Sequence, residues 1–137
     1  MFWGVGPVNE STVQKAFGHK LIGTAFMKRM VAKTLLRLPP EITEEVVRHC
    51  WFVGSFKDGW AFTVRRKDLK KGECLIFLSD ELLREDARQI IWTITHEIGH
   101  VILKHRNSIG VVQTKSEIKR QEKEADDFAK KYLLGNP

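Results

Sequence analysis

Three observations predict an α+β fold. Apolar residues recur at helical spacing in both the N-terminal and C-terminal thirds, and a block of short apolar segments between residues 50 and 78 reads as strands. Pro, Gly and Asp clusters punctuate the boundaries. With 137 residues, 42% hydrophobic and 29% charged, the chain has the size and composition of one soluble domain around one core. The expected division of 1–137 is a basic helical unit over 1–40, a small three-stranded sheet over 50–78, a helix over 80–105 and another over 114–134.

Ser11 to Leu38 reads as one helix, or as a pair of helices broken near Gly18 or Gly23. Val13, Phe17, Leu21, Ala25, Val31 and Leu35 gather on one side, with Lys15, His19, Arg29, Lys33 and Arg37 on the other. Pro39-Pro40 ends the unit, because the residue before a proline is pushed out of helical geometry. Glu41 to His49 suits a short helix. Trp51–Phe56 and Trp60–Arg65 flank Asp58-Gly59, a type I′ turn signal, and so predict a β-hairpin. That register places Trp60, Phe62 and Val64 on one face with Val53 and Ser55. The continuous apolar run from Cys74 to Leu78 predicts the third strand.

The third helix-forming stretch carries the chemistry. Ala87 to His105 has an apolar stripe of Ile90, Ile91, Ile94, Ile98, Val101 and Ile102, while Thr93, His96, Glu97 and His100 occupy a different face. His96 and His100 are four residues apart, one above the other on the helix, so both imidazoles can reach one ion. Neutral imidazole suits Zn²⁺, which lowers the pKa of a bound water to about 7. Glu97, one step around the helix, stands where a base can take that water's proton. This is the pattern of a metal-dependent amide hydrolase. Gly99 inside the helix costs about 1 kcal/mol against Ala, which implies that something packs closely there.

A catalytic zinc site needs a third protein ligand beside an open position. A His six residues beyond His100 would serve, but Arg106 stands there, and His105 suits a cap at the helix C-terminus. A Glu from a second helix is the other solution. Thr114-Lys115-Ser116-Glu117 has the capping-box pattern, and a helix from there to Leu134 places Ile118, Ala125, Phe128, Ala129 and Leu133 to pack on the first. Glu122 is read as the third ligand and Asp126, four residues on, as the acceptor that orients a ligating His. Glu124 and Asp127 are read as solvated partners of lysines on the same helix.

The run from Ile91 through His96-Glu97-Ile98-Gly99-His100 to Leu103, followed by Glu122-Lys123-Glu124-Ala125-Asp126-Asp127-Phe128-Ala129 and Leu133-Leu134, resembles the ImmA/IrrE family of zinc-dependent metallopeptidases. The resemblance covers about a third of the chain. It implies a zincin-like fold, with His96, His100 and Glu122 as zinc ligands and Glu97 as catalytic base. It also implies regulatory cleavage of a helix-turn-helix repressor. The family's closing Leu-Leu-Met-Pro reads Leu133-Leu134-Gly135-Asn136-Pro137 here, and Asp126 stands where Asn is frequent. Four residues are candidates to donate to the developing oxyanion: His19, His49, Arg88 and Tyr132. In such a fold a sheet edge beside the metal helix can hold an extended peptide, and Leu75–Leu78 or its hairpin neighbour is the expected strand.

Composition narrows the alternatives. No cationic leader or membrane-length apolar run is apparent, which predicts a cytoplasmic protein. Cys50 and Cys74 lack metal-type spacing, so buried thiols are expected rather than a disulfide or a second metal site. The net charge of +6 is concentrated in residues 1–40, where six Lys or Arg face one acid. That face leaves a second reading open: a metal-containing binding protein that grips a transcription regulator or nucleic acid without cleaving it. A purely structural zinc site would need a fourth ligand, for which His105 and Asp126 are the nearby candidates.

Overall fold

The computed structural model describes residues 8–56, 61–64, 73–104 and 113–134, and it is α+β. Helices α1 (Glu10–Phe17) and α2 (Ala25–Leu36) are joined by a 3₁₀ turn over Gly18–Lys20 and a two-residue strand β1 (Leu21–Ile22). Helix α3 (Pro40–His49) runs straight into β2 (Cys50–Phe56), followed by β3 (Ala61–Val64) and β4 (Cys74–Ser79). A single turn α4 (Asp80–Leu83), the long α5 (Ala87–Ile102) and α6 (Lys115–Ala129) complete the order, with α6 tailing into a π turn over Lys130–Leu134.

Each boundary has a local cause. Asn9, Thr24, Ser79, Asp86 and Thr114 cap α1, α2, α4, α5 and α6 by accepting a backbone N–H of the first turn. Gly18, at φ 58, ends α1, so the N-terminal unit is two helices, with the 3₁₀ turn and the two-residue β1 between them. Leu21 is buried as expected, but through β1, and Ala25 is exposed because it opens α2. Pro39 and Pro40 start α3, where a missing N–H costs nothing. Helix α5 stops at Ile102, with Lys104 at φ 57, and His105 lies outside the described residues.

The sheet differs from expectation. Among the described residues it has four strands, in the order β1-β2-β4-β3. β2 pairs with β4 in parallel, Cys50 opposite Cys74, and β3 pairs with β4 antiparallel, Phe62 opposite Phe77. The predicted hairpin between β2 and β3 is therefore wrong, but Val53, Phe62 and Val64 still share a face across β4, Val53 and Phe62 both in register with Phe77 and Val64 with Leu75; Asp58-Gly59 and Trp60 lie outside the described residues. β4 separates the two strands, as its continuous apolar run allows, since such a segment can be flanked on both edges. It follows that Leu75–Leu78 cannot be an edge; β3 is, and it packs beside α5.

Cys50, Phe52, Cys74, Ile76 and Leu78 enter the core with Ile90, Ile94 and Ile98 of α5 and Met27, Val31 and Leu35 of α2. The intervening Trp51, Val53, Leu75 and Phe77 are half-buried. This core clamps α5 from one side, leaving its other side for α6. No described helix is long and apolar enough to cross a membrane.

Candidate metal centre

Helix α5 is buried on nearly every side. Its apolar stripe faces the core, and Thr93, Thr95, Glu97 and His100 are buried as well. The last of these faces meets α6, and Gly99 explains how closely. A Cβ at that position would lie 3.1–3.2 Å from three atoms of Phe128. The close approach inferred from the glycine is thus made by α6, whose Ala125 and Ala129 are also fully buried. Ile118 does not join this contact and is 46% exposed, whereas Gln121 is buried and accepts from the Gln113 amide at 3.1 Å. Thr114 caps α6 by accepting from the Glu117 N–H at 3.0 Å, but the Glu117 carboxylate returns to the Thr114 hydroxyl rather than to its backbone, so the capping box is half made.

With the helices at that spacing, three donor groups converge. His96 Nε2, His100 Nε2 and Glu122 offer ligand atoms that all lie within 4.8 Å of one another. The two Nε2 atoms are 3.2 Å apart; Glu122 Oε2 is 2.8 Å from His96 Nε2, and Oε1 is 3.3 Å from His100 Nε2. Zinc bonded at about 2.0–2.1 Å to N and O in a tetrahedron spaces its ligands roughly 3.3 Å apart. The residues present therefore fit a tetrahedral ion with one position left over.

The tautomer strengthens this. His96 Nδ1 lies 2.8 Å from Asp126 Oδ1, and a carboxylate can only accept, so Nδ1 carries the hydrogen. In neutral His96 the remaining lone pair on Nε2 faces the Glu122 carboxylate at 2.8 Å, acceptor against acceptor. A positive charge is needed between them, either a second proton on His96 or a metal ion. Burial works to lower the His96 pKa, but the hydrogen bond to Glu122 and the charges of Glu97, Glu122 and Asp126 outweigh it and raise the value. The rings of His100 and His96 hold the Glu122 carboxyl well below the usual carboxylate range.

Glu97 is 6% exposed, with its Oε2 3.9 Å from His96 Nε2. It lines a cavity of about 320 Å³ together with Gln89, Trp92, Thr93, His96, Glu122 and Asp126. The structure thus brings together all five residues singled out from sequence. It does not bring in the oxyanion candidates: none of His19, His49, Arg88 and Tyr132 lines this cavity among the described residues. His19 packs edge-on against Trp51, and Tyr132 against Phe128. Of the acids predicted to be solvated partners of lysines, Asp127 is exposed and pairs with Lys123 at 3.0 Å, whereas Glu124 is half-buried and pairs with Arg120 at 3.4 Å. Gln89 and Trp92 were missed by sequence reasoning. Gln89 donates to Thr93 Oγ1 at 3.0 Å, and the steps 89, 93, 96 and 100 continue the histidine face backwards, a signal that was available.

A His-His-Glu group in this geometry can hold a metal ion. No curated protein and no solved structure matches the chain. The model of the family Peptidase U49 matches residues 87–137, the stretch that contains α5 and α6, and this similarity supports a peptidase.

Proposed function

We propose that the chain is a zinc-dependent endopeptidase with a zincin-like fold, related to the ImmA/IrrE metallopeptidases, whose substrate is a helix-turn-helix repressor. The observation that carries this reading is the convergence of His96, His100 and Glu122 within 4.8 Å, beside a buried carboxylate in a shared cavity. His96, His100 and Glu122 would hold the ion, which would supply Lewis acidity at the scissile carbonyl and an activated water. Asp126 fixes the His96 ring through Nδ1, so that Nε2 presents its lone pair. Glu97 takes the proton of the attacking water and returns one to the leaving amine. The second helix closes the site because Phe128 sits against Gly99.

The presence of Glu97 favours an enzyme over a binding protein, since a site that only grips or only braces has no use for a buried base at this position. The test pairs metal analysis of the purified chain with incubation against any helix-turn-helix repressor found encoded beside it, wild type next to Glu97→Gln. The expected result is stoichiometric zinc in both and cleavage by the wild type alone, with a loss on the order of 10²–10⁴-fold in the variant. Absence of stoichiometric metal, or a Glu97→Gln variant as competent as wild type, rejects the enzyme. Repressor binding that weakens steeply with salt, without cleavage, would instead favour the binding protein.

A further inference from the structure

The chain's two cysteines face each other across the two central strands of the sheet, and neither lines the cavity of the candidate metal centre. Cys50 opens β2, Cys74 opens β4, and the parallel register sets them directly opposite. Their Sγ atoms are 3.1 Å apart, and no disulfide joins them. Adjacent strands run about 4.7–4.9 Å apart, inside the range of roughly 4.4–6.8 Å that a disulfide tolerates between Cα atoms. The two residues are 0% and 1% exposed. Lys20 stands beside them. Its ammonium donates to the carbonyls of Val47 and Arg48 at the end of α3; burial lowers its pKa, partly opposed by the charges of Cys50, Glu73 and Cys74.

We propose that Cys50 and Cys74 form an oxidation site, at which a hydroperoxide small enough to penetrate the sheet converts the pair into an intrachain disulfide. One thiolate attacks a peroxide oxygen and the O–O bond breaks; with hydrogen peroxide, sulfenic acid and water result. The facing sulfur then displaces the sulfenic hydroxyl, forming the S–S bond and releasing a second water. Two electrons pass from the two thiols to the peroxide. With the second sulfur already in contact, the sulfenic acid is intercepted before another peroxide reaches it. The covalent ring runs from residue 50 to residue 74 and contains β3, so oxidation locks the two central strands together and tethers the edge strand between them.

The experiment treats the purified full chain with hydrogen peroxide and maps its peptides without reduction. The expected product is one peptide pair joined through Cys50 and Cys74 on a monomeric chain, short of two hydrogens. A rise in Tm of roughly 5–10 °C should accompany it, reversed by dithiothreitol, which leaves methionine sulfoxide untouched. Cys74→Ser should show no linked peptide and no rise. Should that variant fail to fold, the wild-type map decides alone. Sulfinic or sulfonic acid at either cysteine without the link, a link between chains, or thiols unchanged where a cysteine peptide is fully oxidised, would each overturn the proposal.

Discussion

Gly99→Val tests whether the α5–α6 contact positions Glu122, the proposed third ligand. At residue 99 a methyl group alone would sit 3.1–3.2 Å from Phe128 Cδ1, Cβ and Cγ, a few tenths of an ångström too close. Gly99→Ala therefore sets a helix-propensity gain of about 1 kcal/mol against a small shift of Phe128, and its net effect should stay within roughly 1 kcal/mol. Valine adds two carbons beyond that methyl, and the side chain beneath it is 8% exposed within the core, so α6 must move outward. Overpacking of this kind costs about 1–3 kcal/mol. At about 2.1 cal/mol/K of unfolding entropy per residue, that corresponds to a Tm lower by roughly 3–10 °C. Glu122 lies on the same rigid helix and bridges two rings at 2.8 and 3.3 Å, with little slack for coordination. Zinc affinity, measured by chelator competition on the samples used for melting, should fall at least about 10-fold. A lower Tm with unchanged zinc affinity would refute the positioning argument; no change in either would refute the packing argument as well.

Asp126→Asn keeps an acceptor for His96 Nδ1 but removes its charge, and zinc affinity should fall about 10–100-fold with little change in fold by circular dichroism. The raised His96 pKa sets a pH dependence: zinc must displace that proton, so apparent affinity should fall by up to about 10-fold per pH unit below the His96 pKa and level off above it. The same sign applies to metal-free stability. Because the folded pKa exceeds the unfolded one, the ionic contribution of His96 is fully present below the unfolded value and is lost as pH rises through the folded one. Calorimetry of chelator-treated protein across neutral pH checks this, and a metal-free Tm that rises through that interval contradicts it.

What was legible from sequence was local. Histidines four apart on one helix meet whatever the rest of the chain does, and Thr114 announces the start of α6 before any partner is known. Glu122 was legible through chemistry, because two histidines leave a coordination position to fill, and Gly99 announced a close neighbour, which is Phe128 of α6. Strand pairing was not, because it is decided at long range. Residues 51–56 and 60–65 around Asp58-Gly59 satisfied every local condition for a hairpin, yet β4, arriving later, took the place between them. That correction leaves β3, beside α5, as the strand proposed to hold an extended peptide, and gives the proposal a sharper test. Along an antiparallel edge, successive residues point their N–H alternately to the partner strand and to the outside. Of Phe62 and Thr63, one donates to β4 and the other faces away from it. Proline at the outward position should raise KM for the cleaved repressor and leave Tm nearly unchanged, while proline at the inward one should lower Tm by removing a ladder hydrogen bond. If neither substitution alters KM, β3 does not hold the substrate, and the cavity walls at Gln89 and Trp92 become the place to look.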